Sequence, residues 1–188
     1  HTAVAGFDYS WSDYSSYSAS SYTSLDDLRP MALSFAGSQE MKHYGLYLQD
    51  QLEWDNWTLV LSGRHDWVDS RSVDWALVET NQTDSAFSGR VALSYETALG
   101  LTPFANYSTS FSPNLGFVYD ASNTRKTAAP TKAEQIELGV KYQVPDSNAV
   151  LSAAFFDISQ KDGVVLDGTF DAAGNQIQRQ LDLNSRGI

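Results

Sequence analysis

The chain has 188 residues, 12 Lys plus Arg against 23 Asp plus Glu, a formal charge of -11, and no cysteine. Such an acidic chain excludes nucleic acid as a partner, because phosphates require a basic surface, and without cysteine there is no disulfide framework, thiolate nucleophile or cysteine-based zinc site. No stretch approaches the roughly 18 apolar residues of a spanning helix; that test does not reach membrane barrels, whose faces alternate between lipid and lumen.

The chain opens at His1-Thr2-Ala3-Val4, as if within a strand, and any targeting signal is expected outside it. A Ser/Tyr-rich polar segment over about 12–39 follows, and Trp11, Tyr14, Tyr17 and Tyr22 lie in or beside it.

Period-2 alternation is clearest from Lys42 to Val68, with two strands meeting at Asp55-Asn56. Asp and Asn tolerate the left-handed backbone of a two-residue hairpin, and Trp54 and Trp57 flank it. That turn predicts the register: Tyr44 opposite Trp67, Leu46 opposite His65, Leu48 opposite Gly63 and Leu52 opposite Leu59, on an apolar face that Asp50 interrupts. Tyr47, Gln49, Gln51, Thr58, Ser62, Arg64 and Asp66 fall on the other face.

After a polar segment at 69–85, which contains Trp75, a strand from Phe87 to Tyr95 turns at Thr97 to Gly100 into another from Leu101 to Ser110. A segment at 112–132, with Phe117 and Tyr119, leads to a strand through Ile136, Leu138, Val140 and Tyr142. Pro145-Asp146-Ser147-Asn148 returns the chain into Ala149 to Ser159. The facing of the strands around Phe104 and Phe155 is ambiguous, since both parities hold apolar residues. A last long connection spans about 161–175, and a final strand runs from Gln176 to Gly187.

Short turns near 55, 98 and 146 alternate with the long connections 12–39, 69–85, 112–132 and 161–175. This one-sidedness predicts an all-β antiparallel up-and-down meander of about eight strands, of the outer-membrane β-barrel kind, with its long loops outside the cell. Trp54, Trp57, Tyr95 and Tyr142 beside the short turns, and Tyr44, Trp67 and Phe87 at the far strand ends, form two aromatic girdles.

Several phrases, in order, resemble the barrel of TonB-dependent siderophore receptors, in particular the ferrichrome-type, hydroxamate-transporting branch. They are His1-Thr2-Ala3-Val4-Ala5-Gly6-Phe7-Asp8-Tyr9, Tyr44-Gly45-Leu46-Tyr47-Leu48-Gln49-Asp50-Gln51, Ser62-Gly63-Arg64-His65-Asp66-Trp67, the run Pro103 to Pro113, Glu134-Gln135-Ile136-Glu137-Leu138-Gly139-Val140-Lys141-Tyr142, and Asn184-Ser185-Arg186-Gly187-Ile188. The resemblance implies that residues 1–188 are one central fragment of a 22-stranded barrel. The plug domain, its TonB-contacting segment and the remaining strands are expected outside this chain.

It further implies a receptor, not an enzyme, that binds a ferric siderophore outside the cell and imports it with TonB energy, with outer-membrane lipid, the plug and the TonB complex as partners. No cofactor is expected; the ferric siderophore is the transported ligand. Candidate ligand contacts are the aromatics Trp11, Tyr14, Tyr17, Trp75, Phe117 and Tyr119, since Tyr and Trp offer apolar and hydrogen-bonding surface together. Arg64, Arg90 and Glu137, with Glu96 and Lys141, are expected to line the lumen or grip the plug.

No metal site is predicted: His1, His43 and His65 lie on different elements, and Asp162-Gly163, Asp167-Gly168 and Asp171 miss the spacing of a calcium loop. Neither Gly-x-Ser-x-Gly nor a phosphate-binding glycine loop occurs. The competing reading is a soluble β-sandwich, a carbohydrate-binding or adhesion module, in which a second sheet would cover the Tyr44, Leu46, Leu48, Leu52, Leu59 and Leu61 face.

Overall fold

The computed structural model describes residues 1–18, 33–170 and 176–188. Eight strands form one antiparallel sheet: β1 (Thr2–Ser18), β2 (Ser34–Trp54), β3 (Trp57–Asp74), β4 (Glu79–Tyr95), β5 (Leu101–Ser112), β8 (Thr131–Gln143), β9 (Val150–Phe170) and β10 (Gln176–Gly187). They lie side by side in chain order, interrupted only by a small separate hairpin of β6 (Phe117–Tyr119) and β7 (Arg125–Thr127). Up-and-down connectivity is what short turns between consecutive strands dictate. Tyr22 and Asp171 lie outside the described residues.

The β2–β3 register is the one that the Asp55-Asn56 turn predicts, with Tyr44 opposite Trp67 and Trp54 opposite Trp57. Asp55 has φ 52°, the left-handed geometry of such a turn. From this pair the alternation propagates across the sheet. One face, here called outer, carries Leu46, Leu48, Leu61, Val91, Tyr107, Ile136 and Leu138. The inner face carries Arg64, Arg90, Asn106 and Glu137.

Among the described residues no second sheet covers the outer face: Leu46 is 51% and Leu48 59% exposed. The sandwich alternative therefore fails, because its apolar face would have to be buried. Lipid is the solvent that an uncovered apolar face of this extent requires. Trp54 stacks on Trp57 at 6.3 Å, Trp57 meets Tyr95 at 4.7 Å, and about ten residues up the strands Tyr9 packs on Tyr44 and His65 on Trp67.

The strands run further than the sequence pattern predicts. The segment 69–85 is not a loop: β3 continues to Asp74 and β4 begins at Glu79, leaving a four-residue turn. β1 likewise continues to Ser18 and β2 starts at Ser34 within the 12–39 segment, β9 extends to Phe170 within 161–175, and 112–132 contains the β6–β7 hairpin. The physical reason is that a strand of 17 to 21 residues reaches about 55–70 Å, whereas the apolar band is about 25 Å tall. Beyond the band both faces meet water, so apolar alternation ends while the hydrogen-bond ladder continues.

The ambiguous facing around Phe104 and Phe155 is resolved. Phe104 and Phe156 are on the inner face, where their rings fill the space above Gly139 and Gly187 on the neighbouring strands, while Phe155, opposite Leu138, is on the outer face. Asp50, which breaks the outer face, is met by the His1 ring at 2.8 Å.

One seam is weaker than the rest. β4 and β5 pair only from Arg90–Ser108 to Ser94–Phe104, while β3–β4 pairing spans the full strands. At the upper end Gly89 N–H donates to the Thr109 hydroxyl at 3.0 Å, a side chain standing in for the next ladder bond. At the lower end comes Pro103, which has no N–H to give.

Candidate functional site

Two groups of side chains occupy the inner face. The lower one is built around Arg64 on β3. Its Nη1 and Nη2 donate to Asp8 on β1 at 2.6 and 3.0 Å, and its Nε donates to Asp66 Oδ1 at 2.8 Å. Asp66 also meets His43 Nε2 at 2.6 Å. A planar guanidinium can hold two carboxylates at once, where a lysine would offer one point charge. The four groups tie β1, β2 and β3 together, and Asp66 is buried.

Arg90 and Glu137 are further along the same face. Arg90 Nε donates to Asn106 Oδ1 at 2.8 Å, and Asn106 Nδ2 reaches Glu137 at 3.4 Å. Arg64, Arg90 and Glu137 thus share one face, each already engaged with a neighbour; Lys141 lies on the same face with its ammonium 5.5 Å from the Phe104 ring centre, whereas Glu96 falls just past the end of β4, its N–H donating to the Asn56 carbonyl at 2.8 Å. Asp8 and Asn106 escape a sequence reading because their pairing depends on the β1–β2, β4–β5 and β5–β8 registers, which the turn at 55–56 does not set.

The upper group forms a recess of about 270 Å³ at the mouth, lined by Tyr14, Gln39, Ser72, Asp74, Phe117 and Arg125 among others. Tyr14 donates its hydroxyl hydrogen to Gln39 Oε1 at 2.6 Å. The Arg125 guanidinium lies 3.4 Å from the centre of the Phe117 ring and donates to Asp74 Oδ2 at 3.2 Å. Stacking on the ring face and pairing with a carboxylate use the two sides of guanidinium chemistry. Asp74 also accepts from Ala76 and Val78 N–H at 2.9 and 3.0 Å, closing the β3–β4 turn. Partial burial pushes the Asp74 carboxyl up, but the Val78 amide, Arg125 and the Ala76 amide outweigh it and hold the pKa below the ordinary value.

A larger depression, about 1230 Å³, opens on the outer face where the β4–β5 seam splits; Leu48, Leu61, Phe87 and Tyr107 line it. Its apolar walls face lipid, and it shares no functional side chain with the mouth.

The structure separates the six candidate aromatics. Tyr14 and Phe117 meet in the recess. Trp11 and Tyr17 have the opposite parity on β1 and point outward, Trp11 donating to Glu40 at 3.2 Å and Tyr17 meeting the Phe35 ring edge-on. Trp75 stands exposed at the β3–β4 turn. Tyr119 lies opposite Arg125 on the β6–β7 hairpin. The sequence placed Trp11, Tyr14 and Tyr17 together on one loop, and a strand divides them because alternate residues face apart. Asp167, in the region that suggested calcium loops, accepts instead from Thr169 and from Arg179.

Residues 1–188 match the protein family described as TonB dependent receptor-like, beta-barrel. The ferrioxamine receptor of Yersinia enterocolitica is 37% identical over 126 residues, covering 66% of this chain and 17% of that protein. The ferrichrome outer membrane transporter/phage receptor of Escherichia coli K12 is 32% identical over 143 residues, covering 74% and 19%. The chain thus spans about a fifth of these relatives or less. Among solved structures, the ferripyoverdine receptor of the Pseudomonas aeruginosa outer membrane superposes with a TM-score of 0.73 over 98% of this chain and 26% of that one, at 20% identity, a likeness of fold.

Proposed function

Because the chain belongs to the TonB-dependent receptor-like β-barrel family, we propose that it is a central section of barrel wall in an outer-membrane receptor that binds a ferric siderophore and imports it with TonB energy. The family is one of bacterial outer-membrane transport receptors, not enzymes. The similarity to ferrioxamine and ferrichrome receptors supports a hydroxamate chelate as ligand.

The observation that carries the reading on this chain is the mouth recess. There an aromatic hydroxyl, an aromatic ring and an amide, those of Tyr14, Phe117 and Gln39, line one cavity above the inner face. A tris-hydroxamate ferric chelate is neutral at its core, since three monoanionic groups balance Fe³⁺. Its surface is apolar with carbonyl acceptors, which aromatic and hydroxyl-bearing walls match. Below the recess, Arg64, Arg90 and Glu137 would face a plug domain and offer it charged groups.

In the full-length receptor, ferrioxamine B and ferrichrome binding should be measured by calorimetry, and iron-55 accumulation in cells with and without TonB. Tyr14→Ala and Phe117→Ala are each expected to weaken binding about tenfold, a loss typical of an aromatic anchor. Failure to bind either chelate, or accumulation that ignores TonB, would remove the reading.

A further inference from the structure

The Phe117–Arg125 wall of the recess belongs to a hairpin that hangs from β5 and β8, on the far side of the weak β4–β5 seam from the Tyr14 wall. Two short strands of three residues each cannot hold themselves in place. On the recess side the ties are the Arg125–Asp74 pair and Gln82 Nε2 donating to the Ala128 carbonyl at 3.0 Å. The opposite side is better built. Val118 on β6 is fully buried and Ile177 on β10 is 7% exposed, and Gln180 exchanges two hydrogen bonds with the Ala129 backbone at 3.0 and 2.7 Å.

Arg179 completes that side. Its Nη2 donates to Asn123 Oδ1 at 2.6 Å, its Nη1 donates to the Asp120 carbonyl, and its Nε donates to Asp167 Oδ2 on β9 at 2.6 Å. Asp120 and Asn123 are the two ends of the hairpin turn: Asn123 N–H donates to the Asp120 carbonyl at 3.0 Å, and the Asp120 carboxylate accepts from Ser122 and Thr124 N–H. One rigid fork therefore grips both ends of the turn while its third side is anchored to the wall. Register irregularities bracket this part of the β9–β10 ladder, between Gln176 and Gln178 and between Leu181 and Leu183. Such bulges re-aim side chains.

We infer that Arg179 is the positioning residue of the mouth recess: it does not line the cavity, and it acts by holding Phe117 and Arg125 where they close the recess against Tyr14. The inference rests on the siderophore reading for the identity of the ligand.

The test is a double-mutant cycle in the full-length receptor, with ferrioxamine B as probe. Arg179→Gln should weaken binding about tenfold in the native background and by less than about twofold when Phe117 is already alanine, because coupled positions are non-additive. Arg179→Lys should restore only part of the loss. Trypsin should cut at Lys126 faster in Arg179→Gln, while the electrophoretic mobility of the unheated, folded barrel stays unchanged. Should Arg179→Gln fail to fold, Asn123→Ala, which removes one grip and no charge, takes its place in the cycle with the same expectation. Native affinity in the variant, an equal loss in both backgrounds, or unaltered cleavage at Lys126 overturns the inference and leaves the siderophore reading standing. An unsubstituted receptor that binds neither ferrioxamine B nor ferrichrome overturns both.

Discussion

The Arg64 guanidinium occupies the space in which Gly45 would otherwise carry a side chain: a Cβ there would lie 2.0 Å from Arg64 Nη2 and 2.8 Å from Asp8 Oδ2. Glycine at this strand position, normally a small penalty, is the condition for Arg64 to cross β2 and reach β1. Gly45→Ala must therefore move the arginine or the backbone, and overpacking of this kind costs about 1–3 kcal/mol. The midpoint of thermal unfolding of the receptor in detergent should fall accordingly. Retention of the native midpoint would show that Arg64 has another resting place.

The two faces differ in solvent, and paired arginine substitutions should report it. Leu61→Arg, in the middle of the outer apolar band, is expected to cost about 2–4 kcal/mol in a bilayer. Ser62→Arg, next in sequence but on the inner face, should cost far less. Equilibrium unfolding from lipid vesicles measures both, and equal penalties would contradict the face assignment.

At the mouth, the hydrogen bonds from the Thr169 hydroxyl, Arg179 and the Thr169 amide hold the Asp167 carboxyl down at about 2. A carboxylate depressed below its unfolded value contributes stability above the unfolded pKa, near 3.8, and loses it only as pH falls through the folded one. Cleavage of the β6–β7 hairpin by an acid-active protease should thus be unchanged from neutrality to about pH 4 and accelerate below about pH 3. Acceleration already near pH 5 would mean that another group controls the hairpin.

Leu77 sits in the four-residue β3–β4 turn at φ 60°, a region that costs a branched side chain about 1–2 kcal/mol, and it is 73% exposed, so little burial compensates. Leu77→Gly should raise the protection of β3–β4 amides against hydrogen exchange, through about 0.5–1 kcal/mol of local stability. Decreased protection would indicate that the leucine makes a contact worth more than the strain.

What was legible in the sequence follows where the lipid ends. Between Trp57 and Trp67 one face must be apolar, so alternation reveals strand, register and orientation together. From Asp69 to Asp74 and from Glu79 to Asp84 neither face is apolar, and the same ladder reads as a polar loop. The recess suffered doubly. Tyr14 was visible as an aromatic, but which of Trp11, Tyr14 and Tyr17 looks inward depends on pairing with β2 across a long intervening segment in which no two-residue turn sets the register. Arg179 left no trace, because its partners are some twelve and nearly sixty residues away and one of them is a backbone carbonyl.

On the proposed function, the continuation of β3 and β4 beyond the membrane has a consequence for how cargo would be met outside the cell. A collar of paired strands is stiff and has only two sides, so a residue there either looks into the vestibule or away from it. Evolutionary change along 69–74 and 79–84 should then be felt at every second position, with uptake tolerant of one register and sensitive to the other. A set of flexible loops would blur that rhythm. The vestibule is in this sense spelled in the same two-letter grammar as the wall beneath it.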